Sequence, residues 1–261
     1  TEDLALAVKK FSDYPNLARS LYVVDVRQSL HFQQVFKTLE IAGYPWATHC
    51  QHIPYELVTL PGNLAMASRE GTVVLLEDLV REATSRALTI VRGKNPELTG
   101  EQQLAIAQAV ALGSIRYSMI SRENTKVVTF DWETALNFDG QAAPYVQYAY
   151  VRAGSILRKW GKDVPHSTAL AYELSPAEVQ LVELISRLPR EIQTAAGDYR
   201  PMVLSNLAYE LAKAFNDFYN QCPVLQAEPA VRDGRLLLVT AARQAIANVL
   251  NVLGVIAPQA M

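Results

Sequence analysis

The chain has 261 residues, half of them apolar, and a formal net charge of −2. That length supplies a buried core for one large domain or two ordinary ones. The near-neutral charge excludes a broad electrostatic attraction to nucleic acid or to an anionic membrane, so any nucleic-acid contact must come from local shape and a few placed side chains. Cys50 and Cys222 make no disulfide framework, which points to a reducing compartment. The longest apolar stretch, 236–257, is interrupted by Arg243, Gln244, Asn248 and Asn251 and reads as a buried amphipathic helix. No cationic-then-apolar leader opens the chain. Thr1 is compatible with a processed start and with a cut inside a longer protein.

In chain order, "TEDLALAVKKF" predicts a short helix, "SLYVVDV" (20–26) a buried strand, "HFQQVFKTLEIAG" (31–43) a helix ending at Gly43, and "THCQHIPYELVTL" (48–60) a second strand region. Strand, helix, strand is the unit of a parallel sheet covered on both faces. Two strands do not stand alone, so either the rest of the chain covers them or part of the sheet lies elsewhere. From residue 75 the pattern turns helical. "VVLLEDLVREATSRALTIVRGK" puts Leu75, Leu76, Leu79, Ala83 and Leu88 near one face, and its acids and bases read as a solvated face carrying intrahelical pairs. "LTGEQQLAIAQAVALGSIRYSMIS" opens with Thr99 and Gln102 at capping-box spacing. Pro144 begins the helix "PYVQYAYVRAGSILRKW", and 161–173 has the composition of a linker. Ser175, Pro176 and Glu178 open the next helix as cap, first helical residue and box partner. Two longer helices follow at 200–221 and 235–254. In the first, Val203, Leu207, Leu211, Phe215 and Phe218 form a core stripe. There is no internal repeat.

Four stretches carry more than periodicity: "LYVVDVRQSLHFQQVFKTLEIAGY", "FDWETALNFDGQAAPYVQYAYVRAGSILRK", "LSNLAYELAKAFNDFYNQCPVL" and the terminal "NVLGVIAPQAM". Together, in order and at matching spacing, they resemble the C-terminal half of arginyl-tRNA synthetase, whose usual ending is Ala-Pro-Glu-Arg-Met. The resemblance implies a mostly α fold: a partial Rossmann-type α/β segment followed by a helical anticodon-binding bundle. Residues 1–75 would be the tail of the class I nucleotide-binding fold with its signature loop, 76–140 connecting helices, and 141–261 the anticodon-binding domain.

"GNLAMASREGTVV" (62–74) then takes the place of the family's Lys-Met-Ser-Lys-type loop, commonly Lys-Met-Ser-Thr-Arg-Lys-Gly. Met66, Ser68, Arg69 and Gly71 match, while Ala65, Ala67 and Glu70 replace the first lysine, the serine and the second lysine. In the family this loop neutralises charge that builds on the ATP triphosphate. One such electrostatic donor is typically worth about 3 kcal/mol of barrier. Its His-Ile-Gly-His segment and its tRNA-elbow domain have no counterpart in these residues, so ATP and Mg, which the family uses, are not expected to serve this chain alone. Thr1 and Asp3 match a Tyr-x-Thr-Arg-Asp motif in which Glu2 replaces the Arg. By resemblance, Asp3 and Gln28 remain of the arginine pocket. At the anticodon end, Tyr148, Tyr219 and Met261 match residues that stack on or brace bases, with Asn206 and Tyr209 near the same face. The position of the usual penultimate Arg falls at Gln259-Ala260, which removes a phosphate contact. Residues 141–261 hold 11 Lys and Arg against 10 Asp and Glu, so binding there is expected to be modest and led by shape.

Plainer readings stand beside these. Tyr148 and Tyr219 also suit core-edge aromatics. His49, Cys50 and His52 lack a fourth ligand for a metal, and none is expected. His31, at a helix start, suits capping or packing better than catalysis. The expectation is an arginyl-tRNA synthetase-like, truncated or degenerate paralogue, cytoplasmic and without membrane contact. It would bind arginine tRNA, would not activate arginine by itself, and could take a protein partner on the exposed strand edge at "YVVDV". The alternatives are one part of a working ligase completed by an N-terminal half, and a protein-interaction scaffold without RNA binding.

Overall fold

The computed structural model describes residues 2–60, 64–65, 75–164 and 172–261. The backbone forms two units, residues 1–59 with 123–129 and residues 60–122 with 130–261.

The first unit runs α1 (Glu2–Asp13), β1 (Ser20–Asp25), α2 (Ser29–Ile41), β2 (Cys50–Tyr55) and most of β3 (Val58–Leu60). β1 and β2 are parallel, from Ser20 opposite Cys50 to Asp25 opposite Tyr55. Alternation along β1 buries Ser20 and Tyr22 and exposes Leu21 and Val23. α2 covers the buried side, where Phe32 packs on Tyr22 and Cys50, and Val35 and Leu39 meet Ala7 of α1 and Ala47. β1 ends in a single 3-10 turn, Val26–Gln28, that Asp25 caps. Its carboxylate accepts hydrogen bonds from the Arg27 side chain and backbone N–H, which hold the carboxyl down to about 2.

The strand region expected over 48–60 is interrupted at Glu56–Leu57. There the Glu56 N–H donates to the Asn124 carbonyl at 2.9 Å, and the chain leaves β1 for the 123–129 segment. After β4 (Leu64–Ala65) in chain order, β5 (Val128–Thr129) pairs in parallel with β3, with the hydroxyls of Thr59 and Thr129 3.2 Å apart. That pairing is between segments about seventy positions apart, and no local periodicity predicts it.

The second unit is helical: α3 (Leu76–Lys94), α4 (Gly100–Ile120), the short α5 (Trp132–Ala135), α6 (Ala143–Trp160), α7 (Pro176–Asp198), α8 (Met202–Gln221) and α9 (Pro229–Val252). α3 buries Leu79, Ala83, Ala87 and Val91 against α4. Leu75 and Leu76, expected on that face, are exposed because they stand at the helix start, ahead of the first packed turn. Both predicted capping boxes form, Thr99 with Gln102 and Ser175 with Glu178. α7 continues beyond the predicted 188 through an exposed Pro189, and α9 begins at Pro229, before the predicted 235.

The core stripe of α8 is as expected: Leu207, Leu211, Phe215 and Phe218 are fully buried and Val203 half-buried, packed with residues of α6, α7 and α9. Two polar ties fix the helices around it. The Tyr117 hydroxyl donates to the Ser205 carbonyl at 2.7 Å, joining α4 to α8. The buried Glu178 carboxylate accepts from Tyr172, the Ser175 N–H and Arg235, while Arg235 also donates to the Pro223 carbonyl. No described helix is long and apolar enough to cross a membrane.

Candidate nucleic-acid interface

Along one side of the helical unit, α6 and α8 run in the same direction and meet in a polar and aromatic seam. At its start the Gln141 amide donates to the Asn206 side chain at 2.9 Å. One turn further, the rings of Tyr145 and Tyr209 lie 5.4 Å apart. Two turns beyond that, Arg152 Nη1 donates to the Asn216 side chain at 2.6 Å. The Arg152 guanidinium stands 4.7 Å from the centre of the Tyr148 ring and 4.8 Å from that of Tyr219. At 1.5 Å per residue the helical part of the strip, from Tyr145 to Arg152, is about 10 Å long on the α6 side.

This geometry follows from helical spacing. Tyr145, Tyr148 and Arg152 recur at three- and four-residue steps along α6 toward α8, and Gln141 stands two residues ahead of that helix. Asn206, Tyr209, Asn216 and Tyr219 recur at three- and seven-residue steps toward α6. The opposite faces of both helices carry the core. Tyr148 is 36% exposed and Tyr219 43%, so both side chains stay accessible to solvent with Arg152 between them. A groove of about 410 Å³ opens beside Tyr219, lined by Ile156, Lys159, Asn220, Leu225 and Gln226 among others. α6 contains no Asp or Glu. Flat rings, a guanidinium plane, amides and an adjoining cation are the groups that single-strand recognition uses to stack bases and hold them with few charges.

Met261 lies partly buried against the same core. The backbone leading to it is held by the buried Gln147, whose amide donates to the Ile256 carbonyl at 2.8 Å and the Ala109 carbonyl at 3.2 Å. Tyr148, Tyr219, Asn206 and Tyr209 are thus brought onto one seam. Arg152, Tyr145, Gln141 and Asn216 belong to it and were missed in the sequence. The four-residue step from Tyr148 to Arg152 was the available signal.

In the first unit the Asp3 carboxylate and the His31 Nε2 lie 2.7 Å apart, within hydrogen-bond distance. Gln28 is exposed at the cap of α2. His31 also meets the Phe32 ring edge-on, and His52 is bonded to the Val24 carbonyl and stacked on Phe32. Met66, Ser68, Arg69 and Gly71 lie outside the described residues.

Comparison with known proteins bears on both units. Residues 1–132 match the family described as tRNA synthetases class I (R), catalytic domain, and residues 146–261 match the DALR anticodon binding domain. The arginine–tRNA ligase of Chloroflexus aurantiacus is 36% identical over 264 residues, covering 100% of this chain and 46% of that protein. A Streptococcus pneumoniae arginine–tRNA ligase is 40% identical over 262 residues, with 100% and 45% covered. The chain therefore spans about half the length of these relatives. Thermus thermophilus arginyl-tRNA synthetase superposes with a TM-score of 0.86 at 36% identity, over 95% of this chain and 42% of that one. The Plasmodium falciparum enzyme shares the fold, with a TM-score of 0.80 at 20% identity, over 99% and 44%.

Proposed function

We propose that this chain, which belongs to the class I arginyl-tRNA synthetase family and carries that family's anticodon-binding domain, binds the anticodon loop of arginine tRNA along the α6–α8 seam and does not activate arginine by itself. The observation that carries the reading is the Arg152 guanidinium placed within 5 Å of two exposed tyrosine rings on neighbouring helices. Tyr148 and Tyr219 stack on bases, while Asn206 and Tyr209 line the approach. Met261 braces the chain end, with residues 141–261 as the binding domain and 76–140 as the helices that connect it to a nucleotide-fold segment over 1–75.

Lack of activation rests on the signature loop, where Ala65 and Glu70 stand in place of the family's two lysines. Exchanging two cations for a methyl and a carboxylate withdraws the positive field that the triphosphate needs. Asp3 and Gln28 stay as the arginine-facing remnant.

Binding of the purified chain to arginine tRNA and to an unrelated tRNA, titrated at two salt concentrations, tests the reading. Selective binding that survives the higher salt is expected, because stacking is less screened than phosphate contact. Equal weak binding that vanishes with salt, or none, would sink it and turn attention to a protein partner for the exposed edge of β1.

A further inference from the structure

Beyond the seam, α6 places a second cation where α9 and the C-terminal segment meet. Arg158 of α6 and Arg243 of α9 converge over Gly154. A Cβ on Gly154 would stand 3.2 Å from Arg158 Nη1 and 3.2 Å from Arg243 Nε, so glycine makes room for both guanidinium groups at the helix surface. Both reach the same residue of the C-terminal segment. Arg158 Nη1 donates to the Gln259 carbonyl at 3.4 Å, and Arg243 Nη2 donates to the Gln259 side-chain oxygen at 3.2 Å. The other hydrogen-bond and ring partners of the two arginines are neutral. Tyr150 accepts from Arg243 at 2.7 Å and presents its ring 4.5 Å away, the Gln259 amide donates to Tyr150 at 3.3 Å, and Ser155 accepts from Arg158 at 2.8 Å.

Among the described residues no carboxylate pairs with either arginine, and Arg243 Nε is buried with no hydrogen-bond partner. Elsewhere in this unit the half-buried Arg235 is neutralised by Glu178, and Arg187 by Glu191 and Glu210. Two neighbouring guanidinium groups without a counter-charge repel each other, and an anion between them turns that repulsion into attraction. A last-turn cation such as Arg158 is ordinary on helix-dipole grounds alone, but Arg243 sits in the middle of α9, where the dipole offers nothing.

Resting on the RNA reading above, we infer that Arg158 and Arg243 bind a phosphate of the RNA backbone, with Gln259 as a neutral lid. Arg152, Ser155 and Arg158 form a stripe at three-residue steps that winds about 120° around α6 from the seam, with Lys159 beside it. The backbone of an RNA whose bases stack on Tyr148 and Tyr219 therefore follows that stripe toward the C-terminal segment. Guanidinium forks suit phosphate oxygens in pairs, which a lone surface lysine does not.

The discriminating variant is Gln259→Glu. It places a carboxylate on the arginine pair, so it occupies the site from within while adding an ion pair to the fold. Inorganic phosphate is the first probe: melting is compared in phosphate and in chloride at equal ionic strength. The wild type is expected to gain more from phosphate than Gln259→Glu does, because general exclusion of phosphate from protein surface acts on both alike. Equal gains would overturn the site. Arginine tRNA is the second probe. Gln259→Glu and Arg243→Gln should each flatten the log–log salt dependence of binding by about 0.7–0.9 per lost phosphate contact. Their preference for arginine tRNA over an unrelated tRNA should be unchanged. Measurable tRNA binding with an unaltered slope would overturn the RNA phosphate as occupant. A phosphate effect in a wild type that binds no tRNA would overturn it too, and would sink the anticodon reading separately.

Discussion

The guanidinium of Arg152 stands 4.8 Å from the centre of the Tyr219 ring, tying α6 to α8 at the point where both helices face outward. The contact fixes an aromatic plane that is still 43% exposed. Truncating the ring removes a stacking face and leaves the core below it intact. Tyr219→Ala is expected to weaken arginine tRNA binding by about 1–3 kcal/mol, the worth of one base–aromatic stack. Tyr219→Phe should keep most of the affinity. Fluorescence anisotropy with labelled tRNA reads both, and unchanged binding in Tyr219→Ala would remove the ring from the interface.

Arg152 is predicted to act through those rings as well as by charge. Arg152→Lys keeps the cation but loses the plane and the fixed donor fork that reaches Asn216. It should lose most of the affinity that Arg152→Ala loses, with little change in melting temperature. Full rescue by lysine would reduce the contact to a point charge.

Glu178 offers a test on stability. It is buried, and its carboxylate takes hydrogen bonds from Arg235 at 2.9 Å, Ser175 N–H at 2.8 Å and Tyr172 at 3.0 Å. Burial by itself would raise its pKa, but the bonds from Arg235, Ser175 and Tyr172 outweigh it and the net shift is downward. Burial, together with donation to this carboxylate, pushes the Tyr172 phenol up to about 12. Glu178→Gln leaves Arg235 uncompensated and should cost about 3 kcal/mol in urea unfolding at neutral pH. A lowered pKa in the fold means that the stabilisation is complete above the ordinary carboxylate range and fades as pH falls through the lowered value. The gap between wild type and variant should therefore close on acidification; a constant gap would assign the loss to packing.

Gln147 links the core to the C-terminal segment. Gln147→Leu keeps bulk but strands the Ile256 carbonyl that its amide now serves, whereas the Ala109 carbonyl, in the middle of α4, keeps its helical bond. A loss of about 1–3 kcal/mol in stability is expected, along with weaker tRNA binding, because Gln259 and Met261 are then less firmly placed. Limited proteolysis near residue 256 should accelerate, and an unchanged digestion pattern would argue against that tie.

Catalysis gives the last prediction. The chain alone should show no arginine-dependent ATP–pyrophosphate exchange, with or without tRNA, because Ala65 and Glu70 replace cations of the signature loop. Exchange at ordinary enzyme rates would show that other groups supply that charge.

Much of this was settled by local pattern. The boxes at Thr99 and Ser175, the stripe from Leu207 to Phe218, and the β1–α2–β2 order follow from spacings of two, three and four residues, which act within one element. The ordered family blocks single out Tyr148, Tyr219 and Met261 as candidates, and helical spacing sets Asn206 and Tyr209 near the same face. The tertiary structure decided which faces meet. Arg152 lies between two tyrosines only because α8 packs in parallel beside α6. Arg243 reaches Gly154 and Gln259 across a helix boundary, and β3 pairs with β5 about seventy positions away. Such contacts depend on how helices and strands pack at long sequence separation, where side-chain volume and the pairing of buried polar groups select one arrangement among many that periodicity allows equally.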